Sequence, residues 1–108
     1  MFIKKLYKDE KIILSKIPDY EDLLADSFTL IDDDGKTYSK EEMISRKKHY
    51  MSNFDDFQMT SISQKTKLIT YTLGHKSHTS IWRRKEEWHL IFHQITSISD
   101  NSNIEAKD

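Results

Sequence analysis

The chain has 108 residues, of which 32% are charged and 36% hydrophobic, and its formal net charge is −1. That length can bury one core, and the near-neutral balance argues against a general nucleic-acid binder, which carries a basic footprint. Cysteine is absent, which excludes a disulfide framework and a thiolate metal site and is compatible with a reducing cytosol.

The opening M-F-I-K-K-L-Y-K-D-E-K lacks the apolar stretch and small-residue cleavage site of a signal peptide. No run approaches the roughly 20 apolar residues of a membrane span. The expectation is a cytoplasmic protein with no membrane partner, no nucleic-acid partner and no cofactor. Residues 2–17 are predicted helical, because Phe2, Leu6, Ile13 and Ile17 fall near one stripe with Ile3 and Leu14 beside it. Lys4, Lys5, Lys8, Lys11 and Lys16 lie mostly off the stripe and read as a solvated face rather than a membrane surface, with Asp9 and Glu10 breaking the basic character. Pro18 stops the helix. Asp19 is positioned to cap a short second helix over Tyr20–Ala25, which brings Leu23 and Leu24 to the core.

Phe28–Ile31 reads as a strand, and Asp32-Asp33-Asp34-Gly35 as a turn in which Gly35 supplies a positive φ. The acidic stretch Asp19, Glu21, Asp22, Asp26, Asp32, Asp33, Asp34 lacks the spacing of a calcium loop and is best explained by caps, turns and a solvated rim. Ser39-Lys40-Glu41-Glu42 is a capping box opening a third helix, expected to run to about Tyr50 with Met43, Ile44, Lys47 and Met51 inward. Arg46, Lys47, Lys48 and His49 suit its C-terminal end. Strands follow at 53–63 and 67–73, and then a hairpin with its turn at Lys85–Glu87. Ser99–Asp108 has no periodicity and reads as a frayed tail, leaving 1–98 as one α+β domain.

The hairpin segment S-I-W-R-R-K-E-E-W-H-L-I-F-H-Q (Ser80–Gln94) resembles the last hairpin of the nuclear transport factor 2-like superfamily and is similar to its SnoaL-like branch. D-L-L-A-D-S-F-T-L-I (Asp22–Ile31) and D-G-K-T-Y-S-K-E-E-M-I (Asp34–Ile44) resemble the segments that precede it, in the expected order. The resemblance implies a curled sheet wrapped around helices as a cone with an open end. The Lys85-Glu86-Glu87 turn departs from the glycine-containing turns of that branch. No match to the superfamily's catalytic Asp or His–Asp motifs is found, so no catalytic role carries over.

Strict alternation puts Trp88, Leu90, Phe92 and Gln94 on one face of the last strand, and His89, Ile91, His93 and Ile95 on the other. Tyr71, Ser80, Trp82, Trp88, Phe92 and Gln94 are the candidate pocket residues, an aromatic wall with two orienting polar groups. Ile81, Ile91, His93 and Ile95 are the candidate dimer face. His89 and His93 lie about 13 Å apart along one strand, too far to share an ion. His78 can approach one of them across the hairpin, but a third ligand is missing, so no metal site is assigned. Asp26 or Asp32 with His93 is the remaining acid–base pairing, more simply read as a cap, a turn carboxylate and a structural imidazole. Two functional readings stand. One is a small-molecule-binding domain whose cone mouth takes an apolar or weakly polar ligand, with lyase- or isomerase-type activity left open. The other is a non-enzymatic homodimeric interaction module.

Overall fold

The computed structural model describes residues 2–49 and 53–98. In chain order they form α1 (Phe2–Leu14), a 3-10 turn (Tyr20–Leu23), β1 (Leu24–Ile31), β2 (Thr37–Ser39), α2 (Lys40–Ser45), β3 (Asp55–Ser63), β4 (Thr66–Leu73), β5 (Lys76–Arg84) and β6 (Trp88–Ser97). The six strands make one curved sheet in the order β2-β1-β6-β5-β4-β3. All neighbours are antiparallel except β1 and β6, which run parallel. Helix α1 lies against the inner face and buries Leu6, Asp9, Glu10, Ile13 and Leu14. Leu24, Phe28, Leu30, Ile69, Tyr71, Leu73, Trp82, Leu90 and Ile95 meet it from the sheet.

Helix α1 ends three residues before the predicted Ile17. Its last turn closes by backbone bonds from Ile17 N–H to Ile12 and from Lys16 N–H to Ile13, each 3.1 Å. This is a Schellman closure with the left-handed position occupied by Lys16 at φ 51°. A left-handed lysine costs about 1–2 kcal/mol. Its ammonium group offsets some of that by binding the carbonyls of Met43, at 2.9 Å, and Arg46. Those two carbonyls would otherwise point into a continuing α2. Arg46 is already extended, so α2 has six residues rather than running to Tyr50. Within it Met43 is buried, while Ile44 and Lys47 are exposed. Met51 and the Ser99–Asp108 segment lie outside the described residues.

The capping box is formed: Glu42 N–H donates to Ser39 Oγ at 3.2 Å and Ser39 N–H to Glu42 Oε1 at 2.9 Å. Asp19 does not cap. It sits at φ 74° without a side-chain bond, and the segment after it is a single 3-10 turn. Strand β1 begins at Leu24, four residues ahead of the expected start, because the parallel partner β6 supplies a ladder from Leu24↔Leu90 onward. Gly35 turns the chain at φ 79°, and β2 follows as a short edge strand that the sequence pattern did not signal.

The largest departure is in β6. Ile81 pairs with Phe92 and Trp82 with Leu90, so Ile91 is an extra residue, a β-bulge that reverses the alternation beyond it. Leu90 faces inward before the bulge, and His93 and Ile95 face inward after it. Phe92 and Gln94 therefore turn to the outer face. His93 and Ile95, assigned to a dimer face, belong to the interior. Phe92 and Gln94, assigned to a pocket, do not line it. Among the described residues no helix is long and apolar enough to cross a membrane.

Candidate functional site

The inner face brings six polar-headed side chains together in the centre of the molecule. Glu10 is fully buried. Tyr71 Oη–H donates to its Oε1 and Trp82 Nε1–H to its Oε2, both at 2.8 Å. The Ser80 hydroxyl is a third hydrogen-bond partner of the same carboxyl group. Ser80 Oγ is also 2.5 Å from His93 Nδ1, and His93 Nε2 is 2.8 Å from His78 Nδ1. The result is one line of hydrogen bonds, Glu10–Ser80–His93–His78, reaching from the middle of α1 across β5 and β6. His78 stacks on Tyr71 with ring centres 5.0 Å apart, and Tyr71 stacks on Phe54 at 4.2 Å.

Pairing dictates this meeting. His78, Ser80 and Trp82 alternate inward along β5. Ser80 sits opposite His93 on β6, and His78 opposite Tyr71 on β4. Burial is the largest influence on Glu10 and raises its pKa above the ordinary carboxyl value, against the pull of its three hydrogen-bond donors. Burial pushes His78 down to about 4, with the negative charge of Asp32 pulling the other way. Burial, and then the neighbouring His78, hold His93 well below the usual imidazole range. Both rings are therefore neutral near pH 7.

His93 also forms part of the lining of a small cavity. The cavity, about 20 Å³, lies between α1, β1, α2 and β6, with Leu14, Leu30, Met43 and Ile95 as apolar walls and Lys16, Arg46 and Lys48 around it. That volume holds one water-sized group. Asp32 lies beside these cations, 2.5 Å from the Arg46 guanidinium and 3.6 Å from Lys48 Nζ. Burial raises the Asp32 pKa, but the Arg46 bond, the Asp33 N–H and Lys48 outweigh it and hold the carboxyl below its ordinary value. Burial and the Arg46 charge lower the pKa of Lys16. A second hollow, open to solvent and about 280 Å³, lies between α1 and β3 and is lined by Ile3, Lys4, Tyr7 and Phe57.

Of the predicted pocket residues, Tyr71, Ser80 and Trp82 converge, and they do so on Glu10. Trp88 packs instead on Phe2, with ring centres 4.9 Å apart. Phe92 and Gln94 are on the far side of the sheet. Asp26 is exposed and lies 3.5 Å from Lys40 Nζ. Among the described residues no three metal-ligating side chains converge. Glu10 is the functional candidate missed in the sequence. Its signal was its position: it lies four residues after Leu6 and three before Ile13, on the apolar stripe rather than the charged face.

No protein-family model matches the chain, and no curated protein matches it by sequence. Solved structures do. An NTF2-like protein from Cytophaga hutchinsonii superposes with a TM-score of 0.70 at 20% identity, over 88% of this chain and 97% of the other. A candidate ketosteroid isomerase from Parabacteroides distasonis gives 0.72 at 12% identity, over 93% and 90%. An uncharacterised protein with a cystatin-like fold from Caulobacter vibrioides gives 0.71 at 10%, over 95% and 92%. At these identities the likeness is one of fold. A curved six-stranded mixed sheet closed over helix α1, with this element order, has the nuclear transport factor 2-like fold.

Proposed function

We propose that this protein is a binding domain that takes a small, weakly polar molecule at the mouth of its cone. The observation that carries the reading is the cavity beside His93, apolar on its inner walls and surrounded by Lys16, Arg46 and Lys48. Ligand sites typically combine apolar walls with a few convergent polar groups. The cavity admits one small group of the ligand, and the rest lies across the mouth. Proton transfer of the lyase or isomerase kind is the chemistry that suits an interior holding a carboxyl group and two neutral imidazoles. A cytoplasmic location and membership of the SnoaL-like branch, suggested by the Ser80–Gln94 hairpin, belong to the same proposal.

The test is protein-observed NMR with a library of small neutral and acidic fragments. Binding should shift the amides of Leu14, Leu30, Met43 and Ile95 together. Met43→Phe should abolish those shifts while costing about 1–3 kcal/mol of stability. Shifts confined to Ile3, Tyr7 and Phe57 would move the site to the open hollow beside β3. Equal binding by the filled variant would sink the cone-mouth assignment.

A second reading has its own observation. Leu68, Ile81 and Phe92 are aligned across β4, β5 and β6 on the outer face, half-buried and separate from the core cluster. Such a row supports a homodimer through the sheet, the other copy covering it. One structure of the same fold, from Exiguobacterium sibiricum, is described as a candidate calcium/calmodulin-dependent kinase II association domain, with a TM-score of 0.63 and 18% identity over 90% of this chain and 91% of the other.

A further inference from the structure

We infer that Glu10, Ser80, His93 and His78 form a proton relay that takes up a single proton as one unit, entering at His78 and coming to rest on Glu10. The inference follows from donor and acceptor arithmetic. The contact between His78 Nδ1 and His93 Nε2, at 2.8 Å, requires one N–H and one bare nitrogen. The 2.5 Å contact between Ser80 Oγ and His93 Nδ1 leaves two arrangements for the remaining protons, and they run in opposite directions along the line.

In the first arrangement Glu10 is ionised and accepts from Tyr71, Trp82 and Ser80. Ser80 Oγ accepts from His93 Nδ1–H, and His93 Nε2 accepts from His78 Nδ1–H. A proton added at His78 Nε2 then releases the His78 Nδ1 proton to His93 Nε2. His93 passes its Nδ1 proton to Ser80 Oγ, and Ser80 passes its hydroxyl proton to Glu10. Each N–H or O–H bond that breaks is replaced by one formed at the next acceptor, and the sum is one proton gained. In the second arrangement Glu10 is the neutral acid and donates to Ser80, Ser80 donates to His93 Nδ1, and His93 Nε2–H donates to His78 Nδ1. Both rings are neutral in both arrangements and differ only in tautomer.

The surroundings favour this over a charged imidazole. His78, Ser80 and Glu10 are fully buried and His93 is 2% exposed, so an imidazolium there would be poorly solvated. Glu10 faces Tyr71 from β4, Ser80 and Trp82 from β5, and Asp9 on its own helix. His93 faces His78 and Ser80. His78 faces Tyr71 and His93, and feels Asp32, Asp33, Lys48 and Lys76 beyond them. His93 lines the small cavity together with Lys16, Arg46 and Lys48, so the relay links the middle of α1 to that cavity. It stands whether or not the mouth takes a ligand.

The experiment is two-bond proton–nitrogen NMR of the imidazoles in uniformly nitrogen-15-labelled protein, together with the Glu10 carboxyl carbon, between about pH 4 and pH 8. Both rings should stay neutral while Glu10 titrates, and both should reverse tautomer, from Nδ1–H to Nε2–H on acidification, with one shared midpoint. Glu10→Gln, which removes the ionisable carboxyl group, should leave the tautomers of both rings unchanged across the pH range. Ser80→Ala should uncouple the ring tautomers from Glu10. Tautomers that stay fixed in the parent protein across the range would overturn the inference. So would a cationic ring appearing while Glu10 is still ionised. The parent titration decides the matter even where a variant folds poorly.

Discussion

The hairpin β5–β6 has two faces built from the same strands, and they differ sharply in character. Inward it carries His78, Ser80, Trp82, Leu90, His93 and Ile95, all buried. Outward it carries Thr79, Ile81 and Phe92, half-buried, with Gln94 exposed. The inner face is the more polar of the two in atoms, yet it is the dry one. Its polar atoms are tied to each other and to Glu10, whereas the outer face keeps apolar side chains within reach of solvent. Burial here follows hydrogen-bond pairing as much as hydrophobicity.

The most damaging change should be Glu10→Ala. It strips the acceptor from Tyr71, Trp82 and Ser80 and opens a void, at a cost of about 3–5 kcal/mol. Urea unfolding measures this, and a loss below about 1 kcal/mol would mean that the buried carboxyl does not organise the inner face. Tyr71→Phe removes only one of the bonds and should cost about 1 kcal/mol.

Acid should weaken the inner face through the histidines. His78 is held near 4 in the folded chain against an ordinary 6.5, so below 6.5 the unfolded chain binds the extra proton. Stability from this group is complete above 6.5 and is lost as pH falls toward 4, by up to about 3 kcal/mol. Glu10 acts in the opposite sense: its raised pKa favours the folded chain at low pH, and that advantage is lost as pH rises through its folded value. His78→Gln isolates the first effect. The stability gap between parent and variant should be larger by about 2–3 kcal/mol at neutral pH than near pH 4. A gap independent of pH would show that His78 is not held neutral.

Phe92→Lys tests the outer face. It should change the stability of the single chain by less than about 1 kcal/mol and weaken self-association by about 30-fold or more, as loss of a central anchor does. Sedimentation of both proteins over a range of concentrations reads this, and unchanged association would remove the Leu68–Ile81–Phe92 row as an interface. Gln94→Leu should be the mildest change. It lies on the outer face and should move the urea midpoint by the equivalent of about 0.5 kcal/mol or less, leaving the His93 imidazole signals in place. A shift in those signals would contradict the bulge at Ile91.

Much of the scaffold was legible in the residues themselves. Turn chemistry at Asp32–Gly35, the capping box at Ser39–Glu42, the apolar stripe of α1 and the dense β-formers of the hairpin are local signals, decided by the backbone within a few residues. The order of these elements was enough to suggest an α+β layer arrangement, and the resemblance of the Ser80–Gln94 hairpin to the nuclear transport factor 2-like superfamily supplied the cone. The centre of the molecule was not legible, for two reasons. A bulge adds one residue to β6 without changing its composition, and because side chains alternate strictly with period two, a single extra residue exchanges the faces of everything beyond it. That exchange took His93 and Ile95 into the interior and Phe92 and Gln94 out. Glu10, for its part, looks in one dimension like any other charge on a lysine-rich helix. Only the tertiary structure decides that Tyr71, Ser80 and Trp82, 61 to 72 residues further along, converge on its carboxyl group. A carboxyl group can stand on an apolar stripe only when distant parts of the chain bring it hydrogen bonds in place of water.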